Sequence, residues 1–192
     1  PQREMLKAMC DSYGFSLKNL TTWDTVVRRE EQNAVSFVEN HDLRDEGRPI
    51  INDKLLAYSY ILTHEGYPCV FWHDYFNLNL ALGDTPNGIV ALVDAHEKYA
   101  GGDTNVLYVD DNLYVMQREG YADQPGLIYV LNNRGDNWNG KLVTTKWTNA
   151  SFAPVAWWSK SDLSRPINQS TDRDGRAQFY APPRGYAVYA VK

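Results

Sequence analysis

The sequence has no apolar run near the about 18–20 residues that a membrane-spanning helix requires, which excludes a helical membrane anchor. No cationic start followed by an apolar stretch opens it either, so nothing there reads as a signal peptide. Cysteine is scarce. Cys10 and Cys69 lie far apart and form no metal or redox motif. They either pair as one disulfide or stay as two free buried thiols, and free thiols are the expectation. Blocks of Lys and Arg are missing, and 24 acidic residues against 19 basic ones give a net charge of -5. That balance argues against a nucleic-acid partner. The four histidines, His41, His64, His73 and His96, show no zinc spacing. His64 and His96 fall in helical stretches and read as surface or capping residues. No repeat or low-complexity tract is present.

What is present is enough apolar material for a core, 43% of 192 residues, and an unusual load of aromatics, with 13 Tyr and 6 Trp. The chain opens at Pro1 without an initiator methionine and runs directly into a helical pattern, which reads as a cut inside a larger protein. Met5, Leu6, Met9 and Cys10 have helical spacing over residues 3–13, and Gly14 stops the pattern. A short helix is expected over 23–31, with Thr22 as its cap. Residues 33–38 read as a buried parallel strand. The clearest helix spans 53–65, with Leu55, Leu56, Tyr58, Ser59 and Leu62 as its packing stripe and Gly66 at the stop. A second apolar strand follows over 67–72, then a loop to Asn87 and an amphipathic helix over 88–99.

After Gly102 the periodicity changes. About seven strands are expected, over 106–110, 113–118, 127–132, 141–146, 152–158, 177–180 and 186–191. Asp111-Asn112 reads as a two-residue hairpin turn at positive φ, and Asn139-Gly140 as the turn that starts the fourth strand. The fold class is therefore α/β followed by an all-β antiparallel sandwich, divided into residues 1–101 and 102–192. Of Trp157 and Trp158, at most one faces the sandwich core, because neighbouring strand residues point to opposite faces. The other, like Trp138, could serve a carbohydrate, but core or interdomain packing is the expectation. Asp172-Arg173-Asp174-Gly175 opens like a calcium loop yet lacks the later ligands, so a turn is expected.

The segment with the most chemistry is Phe37-Val38-Glu39-Asn40-His41-Asp42. Four polar side chains follow an apolar strand at once, and the C-terminal ends of parallel strands are where active sites form. The plain alternative is a solvated strand–helix connection. The segment resembles conserved region IV of the α-amylase family, glycoside hydrolase family 13, where Phe-x-x-Asn-His-Asp follows the seventh barrel strand. The stretch 55–72, with its Gly66-Tyr67-Pro68 turn, is similar to the seventh helix and eighth strand of that family. Residues 88–99 are similar to the eighth helix, and the β region to domain C, a Greek-key sandwich. The resemblance implies the last part of a (β/α)8 barrel followed by domain C.

By that resemblance Asp42 is the third catalytic carboxylate of an α-retaining glycosidase, holding sugar hydroxyls as the ring flattens toward an oxocarbenium ion. His41 matches a donor to those hydroxyls. Asn40 matches the remaining polar position of the substrate-facing motif, with support of the loop as its expected part. Glu39 sits at a variable position and is given no role. The resemblance further implies an α-glucan substrate, secretion, and calcium in a complete enzyme, carried mainly by an inserted domain absent here; no metal ligand or other cofactor is assigned to this chain. Retaining hydrolysis needs a nucleophile and an acid/base about 5 Å apart, and no matching segment precedes residue 33. Glu39 beside Asp42, or Asp74 past the eighth strand, are the local substitutes, and neither is expected to serve. The chain is thus expected to be inactive alone and to need an N-terminal barrel segment, from the same protein or a partner chain. Residues 1–100 are expected to be stable only beside that segment.

Overall fold

The structure is a computed structural model that describes residues 2–30 and 33–192. Its centre is one helix. The run Lys54–Thr63 is apolar on every side, with Ser and Thr as its only small polar residues, and a helix of that kind folds only where it is covered all round. All ten of its residues are buried. Around it, in chain order, lie α1 (Gln2–Asp11), α2 (Asn19–Thr22), α3 (Val26–Arg29), β1 (Val35–Phe37), α4 (His41–Asp45), the central α5 (Lys54–Thr63), β2 (Tyr67–Cys69), a π-helical turn (His73–Asn77) and α6 (Ile89–Tyr99). β1 and β2 pair in parallel, Val35 opposite Tyr67 and Phe37 opposite Cys69, as the sequence pattern suggested. Gly66 makes the connection possible. It sits at φ 101, and a Cβ there would come within 3.0 Å of the Ala34 carbonyl.

The β region contributes β3 (Thr104–Val109), β4 (Leu113–Arg118), β5 (Ile128–Asn132), β6 (Asn139–Thr144), β7 (Ser151–Ser159), β8 (Gln169–Ser170), β9 (Arg176–Ala181) and β10 (Gly185–Val191). Six form one antiparallel sheet in the order β3-β4-β5-β10-β7-β8, and β6 pairs with β9. The period-2 alternation divides the large sheet's two faces. Tyr114, Met116, Tyr129, Leu131, Tyr186 and Val188 join the core built on α1, α5 and α6. Leu113, Val115, Ile128, Val130, Ala187 and Tyr189 join a second core that includes Val143 of β6 and Phe179 of β9. The sheet is therefore buried on both faces, which explains why β4 and β5 read as continuous apolar runs. Trp157 lies in the second core, and Trp158 packs against the first.

Several expectations require correction. The strand expected over 33–38 is not buried throughout: Val35 is 63% exposed, because β1 has only β2 beside it among the described residues. Cys69 is exposed on the same open pair, while Cys10 is buried; both thiols are free. Burial pushes the Cys10 thiol up to about 12, so it stays protonated at neutral pH. The helix expected over 23–31 reduces to α3, with Thr25 rather than Thr22 at its cap position; its expected end, Glu31, lies outside the described residues. Asp111 and Asn112 do not adopt positive φ. Instead Asp110 Oδ1 accepts from the Asn112 and Leu113 amides at 2.7 and 2.8 Å, an aspartate-stapled turn. Asn139 and Gly140 are strand residues, paired with Ala181 and Tyr180. Asp172-Arg173-Asp174-Gly175 is a turn, closed by Asp172 Oδ1 accepting from Asp174 N and Arg176 N.

His64 is not on the surface. It ends α5 and is buried, its Nδ1 2.8 Å from the Tyr60 carbonyl and its Nε2 2.9 Å from the Tyr114 hydroxyl. It is a capping residue joined to the large sheet. His96 Nδ1 caps the same helix end through the Leu62 carbonyl at 3.0 Å. Burial lowers the His64 pKa from its ordinary 6.5 to about 4, outweighing the pull of the Glu65 carboxylate. A folded pKa below the unfolded one means that the unfolded chain takes up the proton first. The His64 contribution is complete above about pH 6.5 and lost as pH falls toward 4. We predict that the protein loses about 2 kcal/mol of stability between pH 6.5 and 5 through this group. Urea melts at the two pH values check it, and His64→Gln should flatten the difference; an unchanged pH slope in that variant contradicts the assignment.

Candidate active-site loop

The loop after β1 is held from three directions. From the α1 side, Arg3 is buried and donates from Nε to the Val38 carbonyl at 3.3 Å and from Nη2 to the Arg48 carbonyl. One guanidinium thus closes both ends of the segment that carries Asn40, His41 and Asp42. Lys7 Nζ adds a bond to the Pro49 carbonyl at 2.6 Å. Asp11 Oδ1 accepts from Ile51 N and Asn52 N at 2.9 and 2.8 Å, which fixes the chain as it approaches α5.

From the α5 side, Lys54 Nζ reaches both Glu39 Oε2 and, at 2.7 Å, Asp74 Oδ1. Tyr58 OH donates to Asp74 Oδ2 at 2.8 Å. Glu39 is 2% exposed and Asp74 fully buried. Burial raises the Tyr58 pKa, and the Asp74 charge and the bond to it reinforce the shift, so Tyr58 remains a donor. Two strand-end carboxylates, one past β1 and one past β2, are therefore bridged by a single ammonium on the first residue of α5. Buried charges survive only when paired in this way. Glu39 Oε1 has no partner, so the cluster is tightly placed but not fully satisfied.

From within the loop, Asn40 Oδ1 accepts from Leu43 N at 3.0 Å and caps α4. α4 begins with His41 and Asp42, and their side chains meet, Nε2 to Oδ1 at 3.1 Å. They stand in solvent, His41 78% and Asp42 69% exposed. The structure thus brings Asn40, His41 and Asp42 together beyond β1. It does not bring Asp74 to an open face; Asp74 is consumed by Lys54 and Tyr58.

Sequence reading missed Lys54, Arg3 and the part played by Glu39. One signal was available: Lys54 is a lone cation at the head of an otherwise uncharged apolar helix, and such a group needs a buried anion. Nothing local names the anion, since Glu39 is 15 and Asp74 is 20 residues away. Among the described residues no three or more His, Cys, Asp or Glu side chains gather in a way that could hold a metal ion.

Comparison with known proteins agrees with this architecture. Residues 127–190 match the family model described as alpha-amylase C-terminal. That match lies within the β region. The chain is similar to the C-terminal portion of α-amylase family proteins. It is 34% identical over 124 residues to a glucan 1,4-alpha-maltohexaosidase of Bacillus sp. (strain 707), covering 59% of this chain and 24% of that protein. To an alpha-amylase of Bacillus licheniformis it is 32% identical over 155 residues, 66% of this chain and 29% of that protein. The chain thus spans under a third of the length of these relatives. The solved structure of an Anoxybacillus alpha-amylase superposes with a TM-score of 0.67 at 13% identity, covering all of this chain and 46% of that one. A cyclomaltodextrin glucanotransferase with a three-domain ABC distribution gives 0.65 at 17% identity, with 100% and 43% coverage. At such identities the superpositions speak to fold.

The buried cluster yields a prediction. Lys54→Met leaves two carboxylates buried without a cation and should cost about 3–5 kcal/mol. The triple variant Lys54→Met, Glu39→Gln, Asp74→Asn should recover most of it. Urea unfolding of the three proteins measures this; a loss below about 1 kcal/mol in Lys54→Met contradicts the ion triad.

Proposed function

We propose that this chain supplies the transition-state-stabilising carboxylate of a retaining α-amylase that hydrolyses internal α-1,4-glucosidic bonds of starch-like glucans. In this reading residues 1–101 are the end of a (β/α)8 barrel and residues 102–192 a Greek-key domain C. Asp42 accepts hydrogen bonds from the sugar hydroxyls at the cleaved position, and these tighten as positive charge develops on the ring. His41 donates to the same sugar. Asn40 fixes α4 and so aims both. The nucleophile and general acid come from the barrel segment that this chain lacks, in the same protein or a partner chain. The protein is secreted, where polymeric glucan is found.

The observation that carries the reading is the contrast inside one loop. Glu39 and Asp74 are spent on internal structure, whereas His41 and Asp42, two and three residues beyond Glu39, are held free of any buried partner at a parallel strand end. A charged acceptor exposed at the mouth of a rigid loop is suited to a ligand rather than to the fold. The open pair β1–β2, with Val35 and Tyr67 exposed, supports a missing neighbour on the same side.

A second reading is a carbohydrate-binding or barrel-completing module without catalysis, or a family glucosidase or transglycosylase. The module is favoured by the Asp42 side chain standing largely in solvent, with His41 as its ion-pair partner. Activity separates them. The isolated 192-residue chain should release no sugar from starch; clear turnover contradicts the proposal. In the protein with its upstream barrel segment, Asp42→Asn should lower kcat by about 10²–10³-fold, the scale of several kcal/mol of transition-state hydrogen bonding. A variant of wild-type kcat supports the module instead.

A further inference from the structure

The β6–β9 pair covers the large sheet on the face opposite α1, α5 and α6, since its inward residues belong to the second core. On its outward side Trp138, Tyr180, Arg165 and Ile167 line a groove of about 250 Å³. None of these residues belongs to the loop that carries Asp42. We infer that this groove binds a stretch of α-1,4-glucan, as a second glucan site remote from the cleavage loop. The choice of an α-glucan rests on the proposed activity; the existence of a carbohydrate site rests on the groove itself.

Both rings of the groove are fixed before any ligand arrives. Trp138 Nε1 donates to Asp162 Oδ2 at 2.7 Å, which sets the plane of the indole. Asp162 is in turn held by the Ser164 amide on Oδ1 at 2.9 Å, and its own amide donates to Ser159 Oγ at 3.1 Å. These donors keep the Asp162 carboxyl below its ordinary range, so the anchor is charged at neutral pH. Tyr180 is fixed differently. It stands directly opposite Gly140 across the β6–β9 ladder. A Cβ at Gly140 would come 2.4 Å from Tyr180 Cδ1 and 2.8 Å from Cγ, so the ring occupies the place a side chain would take. The glycine that reads as a turn residue in sequence is therefore the bed of an aromatic ring.

Arg165 stands at the rim. Asn168 Oδ1 takes one of its N–H donors at 3.1 Å, and its guanidinium lies 6.0 Å from the Trp157 ring. An Arg carries five donors in a planar fork, so others serve hydroxyls. Ile167 completes the wall and is 67% exposed. Two immobilised ring faces, one aliphatic wall and a planar donor match a pyranose, which offers a C–H face to stack and hydroxyls at its edge. Charge agrees: Arg165 and Asp162 leave the groove neutral, which suits an uncharged polymer better than an acidic or basic partner. Rings that need no ordering on binding lose little entropy, which favours a weak, extended polymer site.

Native electrophoresis of the protein with its upstream segment, in gels cast with amylopectin, tests the inference. Trp138→Ala and Tyr180→Ala should each weaken retardation at least fivefold in apparent dissociation constant. Arg165→Ala and Ile167→Ala alter only exposed side chains and guard against misfolding; they should weaken it at least twofold. Hydrolysis of a short maltooligosaccharide should stay as in the parent, because the groove is not part of the cleavage loop. Unchanged retardation in all four variants overturns the inference whatever the hydrolysis assay shows. If the parent proves inactive yet the variants lose retardation, the groove stands and the catalytic reading falls. Equal retardation in gels cast with hydroxyethylcellulose contradicts α-glucan selectivity, and loss of self-association in the variants, without loss of starch retardation, identifies a protein-docking face instead.

Discussion

One guanidinium sets the geometry on which the candidate site depends. Arg184 lies just before β10, 1% exposed, on a backbone at φ 42. Its Nε donates to Asp53 Oδ2 at 2.8 Å, and Nη2 donates to the Met9 and Cys10 carbonyls at 2.9 and 2.7 Å. Nη1 donates to Asn133, the residue after β5, and the guanidinium lies 4.4 Å from the Tyr13 ring. The β region, the end of α1 and the residue before α5 thus meet at one charge. The next residue after Asp53 is Lys54, which holds Glu39 and Asp74. Constraint therefore passes from the sheet, through Arg184 and Asp53, to Lys54 and the loop bearing His41 and Asp42. A chain of buried charge pairs transmits position well, because each member is costly to leave unpaired.

This arrangement also explains why the β region does not stand apart from the helices. Its large sheet is apolar on both faces, and one of them is covered by the core built on α1, α5 and α6. Ser59 Oγ meets Tyr129 OH at 2.8 Å, and Arg118 donates to the Thr63 carbonyl at 3.0 Å, so the polar groups of that interface are satisfied across it. The open side of the molecule is at β1 and β2, where Val35, Tyr67 and Trp72 are exposed. Apolar surface of that kind marks a face built to be covered.

Much of the layout was legible in the sequence because it rests on local signals. The apolar stripe of α5, the Gly66 stop, the two short parallel strands and the change of period after Gly102 are all patterns of neighbouring residues. The Trp157-Trp158 division followed from strand alternation alone. What was not legible depends on distant partners. Arg184 and Asp53 are 131 residues apart, and Glu39 finds Lys54 only through the fold. Gly140 looked like a turn because its partner ring, Tyr180, is far along the chain. Asp110 rather than Asp111-Asn112 makes the hairpin, since a side-chain acceptor replaced the backbone conformation expected. Of the two parts open to His64, surface or cap, the structure gives the cap, because a helix buried all round leaves no surface for a terminal histidine.

The most direct test of the account is a crystal structure of the protein with its upstream barrel segment and a bound non-hydrolysable maltooligosaccharide. The account predicts an Asp42 carboxylate oxygen within hydrogen-bonding reach, about 2.5–3.0 Å, of a hydroxyl on the sugar at the cleaved position. Asp42 standing in solvent beside an occupied cleft would contradict it.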